Sequence, residues 1–102
     1  MAWMPVAKRQ EVPAGQVRIV QAGAKRLALC HVDGAFYAVD DRCTHDDGSL
    51  ADGALIGREL ECPRHGARFD VRTGDVRCLP AVMPIRAYPV KVEGNDVLID
   101  VS

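Results

Sequence analysis

Two short motifs, Cys43-Thr44-His45 and Cys62-Pro63-Arg64-His65-Gly66, separated by the sixteen residues from Asp46 to Glu61, constrain this chain more than any other feature. Within each motif the Cys and His are close enough for one tight loop to aim a thiol and an imidazole at the same point, which is what a metal centre requires. Two thiolates and two imidazoles suit a tetrahedral zinc ion. They also suit a two-iron two-sulfur cluster whose cysteines hold one iron and whose histidines hold the other. Zinc fingers usually draw both cysteines from one knuckle and both histidines from a helix, whereas here each loop supplies one of each. If the loops lie side by side, Cys43 and Cys62 can hold an inner iron while His45 and His65 hold an outer one. The ligand order therefore suits a cluster with unlike ends, and a zinc-stabilised binding module is the alternative.

At these residues the chain resembles the Rieske iron-sulfur proteins, whose pattern is Cys-x-His, a gap of about this size, then Cys-x-x-His. The resemblance includes His65-Gly66 and the later segment Leu79-Pro80-Ala81-Val82-Met83-Pro84, in the place where the family carries a loop that covers the cluster. It runs from Trp3 to Glu93 and is closest in character to the small ferredoxins of bacterial aromatic-ring dioxygenase systems. It implies one Rieske-type 2Fe-2S cluster per chain, held by Cys43, His45, Cys62 and His65.

Composition supports an ordinary globular chain. With 102 residues, 48% hydrophobic and 26% charged, it reads as one domain over residues 1–102. A net charge of −1 gives no general attraction to nucleic acid or to an anionic membrane. No stretch approaches a membrane span, and the first ten residues lack the apolar run of a signal peptide, so a cytoplasmic location is expected. In that reducing compartment Cys30 and Cys78 are expected as thiols, with Cys30 packed in a strand and Cys78 a small apolar residue outside the ligand set. Charge is uneven along the chain. Seven acidic residues lie between Asp40 and Glu61, and basic residues dominate from Cys62 to Lys91. This gives either a mixed solvated surface or a patterned docking face.

Short strands account for most of the chain. They are expected over Trp3 to Val6, Val17 to Gln21, Lys25 to Val32, with Leu27 and Leu29 on one face, and Ala35 to Asp40. Pro13-Ala14-Gly15 marks a loop, with at most one helical turn before it. Asp33-Gly34 is the clearest hairpin signal, because both turn positions need positive φ. Asp41 to Leu50 forms the first cluster loop, Gly53 to Gly57 is ambiguous, and Arg58 to Cys62 delivers the second loop, Pro63 to Ala67. Arg68 to Val71 leaves it, Thr73-Gly74-Asp75 turns, and Arg77 to Pro84 is the cover. Ile85 to Val92, an edge strand because of Pro89, pairs with Val97 to Val101. No sustained helical period appears. The expected fold is all-β, an antiparallel sandwich or barrel with a cluster-binding subdomain inserted over about residues 41–84, as in the Rieske fold.

Replacing two thiolates by neutral imidazoles makes such a cluster easier to reduce, and the reducible iron would be the one on His45 and His65. Hydrogen bonds to cluster sulfurs raise the potential further. The resemblance shows what is missing here. Respiratory Rieske proteins carry Ser and Tyr donors where this chain has Ala67 and Phe69, and a loop-linking disulfide where it has Gly48 and Arg64. A midpoint below about 0 mV is expected, within the family range of roughly −150 to +300 mV. With His45 and His65 committed, only His31 remains, so a two-histidine, one-carboxylate oxygenase site cannot be built. His31 reads as packing beside Leu29. By resemblance the chain is no enzyme. It is an electron carrier between a flavoprotein NAD(P)H-dependent ferredoxin reductase and a terminal ring-hydroxylating oxygenase in aromatic hydrocarbon catabolism. It is expected to be monomeric and to dock transiently near His45 and His65. The runner-up is a Rieske-like small subunit of a reductase such as nitrite reductase.

Overall fold

A computed structural model describes residues 3–42, 49–63, 66–79 and 83–101. The hairpin at Asp33-Gly34 forms as its sequence dictates, with φ of 51° and 83° at the two turn residues. It joins β3 (Lys25–Val32) to β4 (Ala35–Asp40) in continuous register from Val32 opposite Ala35 to Leu27 opposite Asp40. On the other side of β3 lies β2 (Val17–Ala22), paired from Val17 opposite Cys30 to Ala22 opposite Lys25. A second sheet has β11 (Asp96–Asp100) between β1 (Trp3–Lys8) and β10 (Val90–Glu93). Pro5 is tolerated because β1 is an edge strand, and the register shifts between Pro5 and Ala7. A single 3-10 turn follows at Arg9–Glu11.

The chain between β4 and residue 87 builds a third antiparallel sheet, ordered β5 (Ala54–Ile56), β6 (Glu59–Glu61), β7 (Arg68–Asp70) and β8 (Val76–Cys78). The fold is all-β, as the sequence pattern implies, and no α-helix occurs among the described residues. None of its helical turns is long and apolar enough to cross a membrane.

Strand β3 is buried on both faces. Leu27 and Leu29 pack with Val20, Phe36, Val97 and Ile99, while Ala28, Cys30 and Val32 pack with Val39, Leu60, Phe69 and Val71. A strand enclosed in this way carries an almost unbroken apolar run, which is why Lys25 to Val32 alternates only partly.

Two expectations need correction, and one ambiguous stretch is assigned. The strand expected over Ile85 to Val92 is two strands in different sheets. β9 (Ala87–Tyr88) pairs with β4, and β10 pairs with β11. Pro89 has no N–H to continue a ladder. It marks the crossing, and its carbonyl accepts the Asp100 N–H at 3.0 Å. Gly53 to Gly57 contains β5. Finally, Arg77 and Cys78 belong to β8 rather than to the cover, because β8 pairs with β7 through Arg68 opposite Cys78.

Candidate metal centre

Of the four expected ligands, Cys62 is among the described residues, whereas Cys43, His45 and His65 lie outside them. Cys62 follows β6 directly, and its side chain is 1% exposed in the core shared by Leu50, Leu60, Ala67 and Phe69. The backbone closes a turn around it. Cys62 N–H donates to Ala67 O at 2.7 Å and Gly66 N–H donates to Cys62 O at 3.2 Å, with Gly66 at φ 79°. A soft sulfur donor is thus presented from a rigid turn with water excluded, which fits a thiolate ligand of a buried iron.

The described stretches on the far sides of the two loops meet where β5 pairs with β6, Ala54 opposite Glu61. Residues Leu50–Asp52 form a 3-10 turn after the first loop, and Gly53 follows. A Cβ at Gly53 would lie 1.8 Å from Glu61 O and 3.1 Å from Pro63 Cδ, so only glycine lets the residue before β5 approach the end of β6 and the start of the second loop. Gly74 does the same for the cover. Its added Cβ would lie 1.9 Å from Ile85 O, while Ile85 N–H donates to Gly74 O at 2.9 Å. The described ends of the cover, Leu79 and Met83, are 72% and 62% exposed, and Pro80, Ala81 and Val82 lie outside the described residues.

At the far end of β7 the buried Asp70 accepts the Arg72 N–H at 2.9 Å and the Arg77 guanidinium at 3.2 Å. Burial would raise its pKa, but the hydrogen bonds from Arg72 and then Arg77 prevail and hold it at about 2. The positions without donors, Ala67 and Phe69, are both fully buried.

Among the described residues, several charges of the runs seen along the sequence pair with one another. Glu61 faces Arg68 across the β6–β7 ladder, so Arg68 pairs with Glu61 at 3.0 Å and with Glu59 at 3.8 Å. These pairs are solvent-exposed and contribute little stability. Asp40 accepts the Tyr88 hydroxyl at 2.7 Å, and the Asp41 side chain has no exposure. Sequence reading counted both as surface charge. Only the long-range contacts reveal their partners.

The Rieske [2Fe-2S] domain model matches residues 2–89 of the chain. The ferredoxin component of the naphthalene 1,2-dioxygenase system of Pseudomonas aeruginosa is 47% identical over 100 residues, covering 98% of this chain and 96% of that protein. Among solved structures, the ferredoxin of carbazole 1,9a-dioxygenase from Nocardioides aromaticivorans IC177 superposes with a TM-score of 0.93 at 32% identity, covering 97% of each chain. A complex of reduced oxygenase and oxidized ferredoxin in carbazole 1,9a-dioxygenase contains a chain that matches with a TM-score of 0.90 at 36% identity, covering 96% of this chain and 92% of that one.

Proposed function

This chain belongs to the Rieske [2Fe-2S] domain family, and on that premise we propose that it is a soluble, monomeric one-electron carrier of the cytoplasm. It takes electrons from a flavoprotein NAD(P)H-dependent ferredoxin reductase and delivers them to a terminal ring-hydroxylating oxygenase. The family assigns a Rieske-type 2Fe-2S cluster rather than zinc. The observation that carries the reading is the end-to-end match with ferredoxin components of dioxygenase systems.

Cys43 and Cys62 would hold the inner iron, and His45 and His65 the outer one. When bound, the cluster supplies a site that gains and loses one electron without bond rearrangement. The remaining work falls to the protein. Burial of Cys62 keeps water from the sulfur end. Leu79 is an exposed apolar side chain one residue beyond Cys78, which pairs with Arg68 where the chain leaves the second loop. Ala67 and Phe69 offer no side-chain hydrogen bond, which favours a potential in the lower part of the family range. Partners would dock transiently at the surface around His45 and His65, since redox encounters use small interfaces.

The test is visible absorption and low-temperature electron paramagnetic resonance of the purified protein before and after dithionite, with a redox titration. The expected result is a red-brown protein whose reduced signal has an average g value below that of all-cysteine clusters, with a midpoint below about 0 mV. His65→Ala should lose this spectrum and the ability to relay electrons from a reductase to an oxygenase. A colourless zinc protein, still colourless after anaerobic reconstitution with iron and sulfide, would overturn the reading.

A further inference from the structure

Asp41 follows β4 and stands immediately before the segment that carries Cys43 and His45. Its carboxylate has no solvent exposure, although a buried carboxylate is costly unless every oxygen is satisfied. Here donors converge from three residues in two parts of the chain. Ser49 Oγ lies 2.8 Å from Oδ2 and 3.0 Å from Oδ1, Ala51 N–H donates to Oδ1 at 2.7 Å, and Arg26 Nε donates to Oδ2 at 3.0 Å. Asp41 N–H also donates to Arg26 O at 3.3 Å. One side chain therefore ties the residue that enters the first loop to two residues that leave it and anchors both to the start of β3.

The neighbouring Asp40 complements this. Its carboxylate accepts the Tyr88 hydroxyl at 2.7 Å and the Arg86 N–H at 3.3 Å, so it holds the chain where it returns from the cover. Consecutive residues leaving a strand point to opposite sides. The two adjacent carboxylates thus secure both crossings between the paired sheets and the cluster-binding region.

We propose that Asp41 is a positioning residue for the metal centre, whose buried carboxylate closes the loop bearing Cys43 and His45 so that this ligand pair is held in place to retain the cluster. Holding the ends of a loop together removes the closure entropy that ligation would otherwise have to overcome. A carboxylate is required rather than an amide. Ala51 and Arg26 donate to different oxygens, and the NH₂ of Asn would face one of those donors. The inference rests on the ligand assignment above.

The experiment compares cluster release by the holoprotein, followed as anaerobic loss of visible absorbance in excess iron chelator, with thermal stability of the same samples. The variants are Asp41→Ala, Ser49→Ala, Ser49→Thr and Ile99→Val, the last a core change in β11 away from the loop. Charge-assisted hydrogen bonds are strong enough that Asp41→Ala should release the cluster at least about tenfold faster and Ser49→Ala at least about threefold faster. Ser49→Thr keeps the hydroxyl and should release near the wild-type rate, as should Ile99→Val despite its lower melting temperature. If Asp41→Ala does not fold, the contrast between Ser49→Ala and Ser49→Thr decides. Release by Asp41→Ala and Ser49→Ala at the rate of Ile99→Val would overturn the clamp alone. A wild-type protein that holds no cluster would overturn the ligand assignment and the clamp with it.

Discussion

The thiol of Cys30 sits at zero exposure between Ala28 and Val32, and burial pushes its pKa up to about 12. It is therefore held as the unreactive thiol at neutral pH. Cys78 stands exposed on β8. Alkylation of the native protein at pH 8, read by mass spectrometry, should modify Cys78 within minutes and leave Cys30 untouched until denaturant is added. Comparable labelling of both would contradict the packing of β3. His31 behaves as its position beside Leu29 suggests. It stacks on Phe36 with ring centroids 4.3 Å apart and lies 2.8 Å from Val12 O through Nδ1, which must donate because a carbonyl only accepts.

Among the elements, the turn from β7 to β8 is built around one buried charge, Asp70. Arg72 and Arg77 close on Asp70, and Gly74 N–H donates to Asp70 O at 2.7 Å. The carboxyl titrates at about 2 in the folded state against 3.8 in a model peptide, so the folded value is depressed. Its stabilisation is thus present above the unfolded pKa and is lost as pH falls from about 4 to about 2, by roughly 2 kcal/mol. Urea unfolding of wild type and Asp70→Asn should therefore differ by about that amount at pH 6 and converge near pH 2. A gap that persists at pH 2 would show that Asp70 acts by packing rather than charge. Thr73-Gly74-Asp75 marked this turn in the sequence. Nothing local indicated that Asp70 would be buried with two arginines, because Arg77 reaches it only once β8 pairs with β7.

At the scale of the molecule, β3 lies between two apolar clusters, one closed by β11 and one closed by β6 and β7. With the cluster held as proposed, removing the iron would withdraw support from the region of the third sheet, while Leu27, Leu29, Val97 and Ile99 belong to the other cluster. Amide exchange after anaerobic chelation should rise at least about tenfold over β5 to β8 and stay low over β3 and β11. A uniform loss of protection would mean that both clusters unfold as one unit through β3.

The hairpin at Asp33-Gly34, the boundaries of β3 and β4, and the two Cys/His motifs were legible in the sequence because each depends on residues a few positions apart. A type I′ turn needs positive φ at two neighbours, and a metal loop needs its donors within one turn. The separation of β9 from β10 at Pro89 was half legible, since the missing N–H marked an irregularity without saying which sheets it would divide. The burial of both faces of β3, the contact of Gly53 with Glu61 and the three donors around Asp41 were decided by the tertiary structure. Each joins segments that meet only when strands distant in sequence pair or sheets pack face to face. An aspartate beside another aspartate reads as surface charge until the chain brings Arg26, Ser49 and Ala51 to it.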